Sequence, residues 1–65
     1  MTQILRDWLR AKPNRSIRTY YTGTAYEVQL WERGEGLAYE VHQDLDTAER
    51  LAVLSATGEL EAENG

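Results

Sequence analysis

The stretch at residues 26–42, YEVQLWERGEGLAYEVH, predicts a β-hairpin around which the rest of the chain can be placed. On the first arm, Val28 and Leu30 alternate with more polar neighbours, and the second arm alternates in the same way from Leu37 to Val41. This period of two residues is typical of a strand with one buried side. The intervening ERGEG contains the glycines of a tight turn, so we expect the two arms to pair directly.

The register of this hairpin depends on its turn. A turn made of Gly34 and Glu35, or of the four residues 33–36, gives the same pairing and keeps the apolar sides of both arms on one face. A three-residue loop would set Gln29 and Trp31 opposite core residues, so the alternation disfavours it. The expected pairs are Glu27 with His42, Val28 with Val41, Leu30 with Tyr39, and Trp31 with Ala38.

A preceding strand is predicted at residues 16–21, SIRTYY, because β-branched and aromatic residues are enriched in strands. We expect residues 22–23, Thr-Gly, to form a two-residue turn that joins this strand to the hairpin. The resulting cross-strand pairs are Ile17 with Val28, Arg18 with Glu27, and Tyr20 with Ala25.

An amphipathic helix is predicted before the strands, at about residues 2–11. Thr2 is a suitable N-cap for it, since a threonine hydroxyl can accept from a backbone N–H of the first turn. Pro13 ends the helix, because the residue before a proline is pushed out of the helical region and the proline itself has no N–H to donate.

A second helix is predicted after the strands, at about residues 46–57. Asp46 and Glu49 have the spacing of a capping box, and Asp44 is an alternative cap one turn earlier. Gly58 is well placed to end the helix in a left-handed conformation. The expected inward stripe is Ala48, Leu51, Leu54 and Ser55, with Ala52 at its margin.

The chain therefore predicts an α+β fold of helix, three-stranded antiparallel meander and helix, with both helices on one face of the sheet and the other face open. One small domain is expected at residues 1–58, and residues 59–65 are expected to be an acidic, frayed tail. The expected core comprises Ile4, Leu5, Trp8, Leu9, Ile17, Tyr21, Tyr26, Val28, Leu30, Leu37, Tyr39, Val41, Leu45, Leu51 and Leu54.

Composition excludes several classes of site. Among 65 residues there is no cysteine and one histidine, which leaves no disulfide framework and no Cys-based zinc site. We expect no cofactor and no metal, because helix capping accounts for Asp44 and Asp46. No apolar run approaches the roughly 20 residues that cross a bilayer, and the start lacks a signal-peptide pattern, so we expect a cytoplasmic protein without membrane contact.

The net charge of −4 is unevenly distributed along the chain, with +4 on residues 1–18 and −8 on residues 19–65.

The order of helix, three strands and helix resembles that of the double-stranded-RNA-binding domain over most of the chain. In that family, lysines at the start of the last helix are expected to contact backbone phosphates. Residues 44–49 stand at this place here, and their sequence, DLDTAE, would repel phosphate. The resemblance implies an arrangement of elements and does not carry RNA binding over. The hairpin and following helix also resemble small antitoxin domains in element order alone.

The open face of the sheet is the predicted partner-binding site. Trp31 falls on it, and exposed Trp, Tyr and Arg are enriched in binding hot spots. The alternatives are that Trp31 folds over Ala38 and covers the end of the sheet, or that the first helix or the tail covers Trp31. A row of Arg18, Glu27 and His42 is interpreted as a solvated ion-pair row and not as a catalytic base. The expected partner-binding residues are Arg18, Tyr20, Glu27, Gln29, Trp31, Glu40 and His42.

These features predict a non-enzymatic protein-interaction module, of the kind that bacteriophages and mobile elements encode as small inhibitors or adaptors. It would bind a host protein through the open face and the acidic surface, as an anti-CRISPR protein could. One alternative is nucleic-acid binding through the basic side chains of residues 1–18, with Tyr20 and Tyr21 as stacking platforms. These basic residues are Arg6, Arg10, Lys12, Arg15 and Arg18. Another is a homodimeric structural or accessory subunit joined by its edge strands.

Overall fold

A computed structural model describes residues 1–59 and confirms the predicted order of elements. The elements are α1 (Gln3–Ala11), β1 (Arg15–Tyr21), β2 (Tyr26–Glu32), β3 (Glu35–His42) and α2 (Leu45–Thr57). The strands form one antiparallel sheet in the order β1-β2-β3, and both helices pack on one face of it. Of the predicted acidic tail, residues 60–65 lie outside the described part of the chain.

Helix α1 begins and ends where the sequence predicts. The Thr2 hydroxyl oxygen accepts from the backbone N–H of Leu5 at 3.3 Å, which satisfies one of the free donors of the first turn. After Ala11, Lys12 takes an extended conformation with ψ near 149°, as expected for a residue before Pro13. Helix α1 faces the sheet with Leu5 and Trp8, which are buried.

Helix α2 begins at the earlier of the two predicted caps. One carboxylate oxygen of Asp44 accepts from the Thr47 backbone N–H at 2.9 Å and from the Thr47 hydroxyl at 2.7 Å. The capping box predicted from Asp46 to Glu49 is therefore wrong, and Glu49 is free for another role. At the other end Gly58 adopts φ 83°, a left-handed conformation, and its N–H donates to the Ser55 carbonyl.

Between β1 and β2 the register differs from the prediction by two residues. The connection comprises residues 22–25, in which the Thr22 N–H donates to the Ala25 carbonyl at 2.9 Å. Ile17 is consequently opposite Leu30, where Val28 was predicted. A shift of two residues leaves every side chain on its predicted face, because side chains alternate with a period of two. The corresponding corrections are Arg18 opposite Gln29 and Tyr20 opposite Glu27.

Between β2 and β3 the predicted register is wrong, and the error reverses the faces of β3. The turn consists of Arg33 and Gly34, which both have positive φ, and it pairs Glu32 with Glu35. A β-bulge follows, in which Trp31 is opposite Gly36 and Leu30 is opposite Ala38, so Leu37 is the extra residue. One extra residue exchanges the two sides of the rest of the strand.

The core is smaller than predicted, and the shifted register of β3 accounts for three of the residues that are missing from it. Tyr39 and Val41 were expected in the core, but they lie on the face of the sheet away from the helices and are 59% and 45% exposed. The bulge residue Leu37 is 39% exposed. Ile4 and Tyr21 are also exposed. The buried hydrophobic residues are Leu5, Trp8, Val28, Leu30, Ala48, Ala52 and Val53.

Helix α2 is rotated from its predicted orientation. Its buried residues are Ala48, Glu49, Ala52 and Val53, whereas Leu51, Leu54 and Ser55 are half-buried. The small side chains of the two alanines allow close approach of the helix to the sheet. Neither helix of residues 1–59 has the length and apolar character to span a membrane.

Candidate protein-interaction face

The side of the sheet opposite the helices forms a candidate binding surface, which we call the open face. Because Val28 and Leu30 point into the core, their neighbours on β2 and the residues paired with those neighbours point away from it. The open face consists of Ser16, Arg18, Tyr20, Glu27, Gln29, Trp31, Gly36, Tyr39 and Val41.

Trp31 lies on the open face but is half-buried. Its six-membered ring lies 3.7–3.9 Å from the place that a Cβ atom on Gly36 would occupy, so the indole covers the glycine opposite it. The Arg18 guanidinium lies over the indole at 4.9 Å from the ring centroid. Trp31 therefore covers the sheet, as the first of the alternative interpretations held, although it does so over Gly36 and not over Ala38.

A chain of hydrogen bonds orders the side chains between Trp31 and Tyr39. The indole N–H of Trp31 donates to Gln29 Oε1 at 3.2 Å, and Gln29 Nε2 donates to Glu27 Oε2 at 2.7 Å. Tyr39 donates its hydroxyl proton to Glu27 Oε1 at 2.8 Å, and this hydrogen bond raises the pKa of Tyr39 above its ordinary value of 10.0. The two oxygens of Glu27 thus each accept one bond, which holds three side chains in one arrangement.

The apolar part of the open face is formed by exposed side chains, of which the network holds Tyr39. Tyr39 and Val41 form a row on β3, and Tyr20 is half-exposed on β1 across the sheet. Tyrosine offers a large contact area at a small cost in rotamer entropy, and this is why it is enriched where proteins bind one another.

Two predicted partner-binding residues are not on the open face. Glu40 pairs with Val28 and His42 with Tyr26, so the reversal of β3 puts both on the helix side. His42 Nδ1 accepts from the backbone N–H of Asp44 at 3.0 Å, beside the start of α2. The predicted row of Arg18, Glu27 and His42 is not formed. The other five predicted residues, Arg18, Tyr20, Glu27, Gln29 and Trp31, are together on the open face.

Tyr39 and Val41 are the candidate residues that the sequence pattern did not predict. The signal that could have found them is the pair of glycines in ERGEG: Gly34 allows a two-residue turn with Arg33, and an isolated glycine at position 36 within a strand indicates a bulge. A turn of Arg33 and Gly34 together with a bulge would have predicted the observed faces.

One basic residue of the N-terminal segment, Arg15, forms contacts within the molecule. Arg15 stacks on Trp8 with 4.2 Å between the guanidinium carbon and the ring centroid, and it donates to the Trp8 carbonyl at 2.7 Å. The same guanidinium forms an ion pair with Glu32 at 2.8 Å, and this hydrogen bond lowers the pKa of Glu32. Arg15 thus joins the end of α1 to the sheet, and its charge is balanced within the molecule.

A groove of about 420 Å³ is formed partly by open-face residues and partly by the edge strand β3 and helix α2. It is lined by residues 36–39 of β3, by Gln29 and Trp31 of β2, and by Ser55 of α2. Within residues 1–59, no group of three or more His, Asp or Glu side chains is arranged to hold a metal ion.

Comparison with known proteins gives no match to any family model, curated protein or solved structure. The functional argument therefore depends on the geometry of the open face and of β3.

Proposed function

We propose that this protein is a non-enzymatic interaction module that binds another protein through the open face of its sheet. The observation that carries this proposal is the ordered row of exposed side chains: Tyr39 and Val41 protrude, while the network through Glu27 holds Tyr39 in place. Ordering side chains before binding reduces the entropy lost on association. The partner surface that fits is apolar at its centre, with an acidic group able to reach Arg18.

The acidic surface contributes less to this proposal than the sequence alone indicates. Three of its carboxylates already have partners inside the molecule: Glu27 accepts from Tyr39 and Gln29, Glu32 pairs with Arg15, and Asp44 caps α2. The module acts as an inhibitor or adaptor by covering a surface of its partner, and a cytoplasmic host protein of the kind that phage-encoded proteins bind is the proposed target.

A matched pair of tyrosines tests the proposal. A photo-crosslinking amino acid is placed at position 39, on the open face, or at position 21, which is equally exposed but on the helix side. In the native host, position 39 should capture one protein that position 21 does not. With that protein purified, Tyr39→Ser should weaken binding at least about tenfold, since hot-spot residues carry this much. Tyr21→Ser should change the affinity less than about twofold.

Tyr39 is a better test residue than Trp31. Trp31→Ala would uncover Gly36 and release Arg18 and Gln29, so lost binding could reflect a disturbed sheet. Circular dichroism of both tyrosine variants serves as the folding control. Crosslinking of the same proteins from positions 21 and 39, or wild-type affinity of Tyr39→Ser, would refute binding through the open face.

A further inference from the structure

Strand β3 is an edge of the sheet, and its outer side has no strand beside it within residues 1–59. Exposed edge strands present unpaired backbone N–H and C=O groups to which another strand can add. Proteins protect such edges with lysine, proline, bulges or inward-pointing charges. Strand β3, EGLAYEVH, contains no lysine or proline, and its two protective features are the bulge at Leu37 and the charge of Glu40 on the helix side, which an added strand with a basic residue at that place can neutralise. The groove of about 420 Å³ opens along residues 36–39 of this same edge, which leaves space for side chains of an added strand.

Glu40 gives the edge a charge preference. It is half-buried on the helix side of β3, opposite Val28, and it makes no ion pair or side-chain hydrogen bond within residues 1–59. Its carboxylate oxygens reach solvent, so a cation that approaches them can form a cross-strand ion pair without displacing an existing partner. A strand that adds to β3 places one residue directly beside Glu40, within reach of a cross-strand ion pair.

The neighbours of Glu40 determine the rest of the pattern. Tyr39 and Val41 flank it on the open face, so the two residues beside them in the added strand also fall on the open face. Apolar side chains at these two positions would extend the exposed row of Tyr39 and Val41. The added strand is thus expected to have three successive residues in the order apolar, basic, apolar.

We propose that the outer edge of β3 binds an extended peptide segment of the partner protein by strand addition, with a lysine or arginine beside Glu40 and an apolar residue on either side of it. The proposal rests on the proposed function, because the flanking apolar residues enlarge the open face. A second copy of the chain fits less well, since pairing β3 with β3 brings together Glu35 and Glu40 from both chains without any Lys or Arg on either strand.

A display library of random nonapeptides, selected on the full chain, tests the proposal and does not require the partner protein. The enriched peptides should share the pattern apolar, Lys or Arg, apolar. Replacing the basic residue by glutamine in the best peptide should weaken binding about three- to fivefold, as for a cross-strand ion pair. That difference should vanish with Glu40→Gln and persist with the control Glu35→Gln, which changes an exposed carboxylate at the turn.

Backbone pairing is tested on the peptide, where no folding defect of the protein can interfere. Two isomers of the best peptide carry N-methyl groups at odd or at even positions. Strand addition predicts that one isomer loses binding and the other keeps it, because alternate N–H groups point to β3. Equal binding by both isomers, failure to enrich the pattern, or a β3-dependent dimer in sedimentation would overturn the proposal. If Tyr39→Ser still abolishes partner binding in that case, the open face retains its function and the strand-addition mode alone is wrong.

Discussion

Glu49 shows at the scale of one residue how a side chain can serve a helix other than its own. It is only 4% exposed, and its Oε1 accepts from the backbone N–H of Thr2 at 2.6 Å. The sequence predicts that Glu49 would reach back within α2, but Asp44 already caps that helix. Glu49 instead joins the starts of the two helices. Its negative charge lies at the positive end of the α1 dipole, which is a stabilising arrangement.

The role of Glu49 predicts an order of stabilities for two substitutions. Glu49→Ala leaves the Thr2 N–H without its partner in a shielded place, which should cost about 1–3 kcal/mol of unfolding free energy. Glu49→Gln should cost less, because an amide oxygen can still accept the bond. Urea denaturation followed by circular dichroism measures both. A glutamine variant as unstable as the alanine variant, or an alanine variant as stable as the wild type, would contradict this assignment.

At the scale of the elements, local signals predict the helices well and the register of β3 poorly. Thr2, Pro13 and Gly58 act on their immediate neighbours, so the helix ends can be read without the rest of the fold. The bulge at Leu37 is decided across strands, where Trp31 packs over Gly36, and alternation within β3 carries no sign of this contact. The sequence therefore predicts five of the nine open-face residues, and the two side chains of β3 on this face that it misses are Tyr39 and Val41.

The reversed faces of β3 can be tested by making the same substitution, valine to threonine, in two separate variants, one on each face of the sheet. Val28 and Val41 were predicted to face each other in the core, but Val28 is fully buried and Val41 is 45% exposed. Val28→Thr buries a hydroxyl and should cost about 1–3 kcal/mol. Val41→Thr keeps the shape at an exposed position and should stay within about 0.5 kcal/mol of the wild type.

Chemical denaturation of the two threonine variants decides between the registers. Because the substitution is the same, differences in β propensity and side-chain volume largely cancel between them. Equal, large losses of stability would restore Val41 to the core and with it the register without a bulge. In that case the open face would lose Tyr39 as well, since Tyr39 and Val41 are on the same side of the strand.

At the scale of the whole molecule, a small core is reinforced by polar contacts between elements. Within residues 1–59, seven hydrophobic residues are buried, two of them alanines, and a chain of this size buries a smaller fraction of its surface than a larger domain does. Arg15 joins α1 to the sheet, and Glu49 joins α1 to α2. Composition and length predict the marginal core, whereas these links depend on residues far apart in the chain and become visible only in the folded arrangement.

Two carboxylates with lowered pKa values predict how the stability of the whole molecule depends on pH. The hydrogen bond from Arg15 lowers the pKa of Glu32 below 4.5, and those from Thr47 lower the pKa of Asp44 below 3.8. A carboxyl group whose pKa is lower in the folded than in the unfolded protein stabilises the folded state. This stabilisation is complete at pH values above the pKa of the unfolded state, and it is lost as the pH falls towards the pKa of the folded state. Stability should therefore be nearly constant around neutral pH and decline below about pH 4.5.

The double variant Glu32→Gln and Asp44→Asn removes both titrations while keeping a polar side chain at each place, and asparagine still caps a helix well. Its unfolding free energy should be lower than that of the wild type at pH 7 and should fall less steeply between pH 5 and pH 2. The control Glu59→Gln removes an exposed carboxylate that is not paired with Glu32 and makes no side-chain hydrogen bond within residues 1–59, and it should keep the wild-type slope. Parallel acid slopes for the wild type and the double variant would mean that other carboxylates control acid unfolding and that the contacts of Glu32 and Asp44 contribute little.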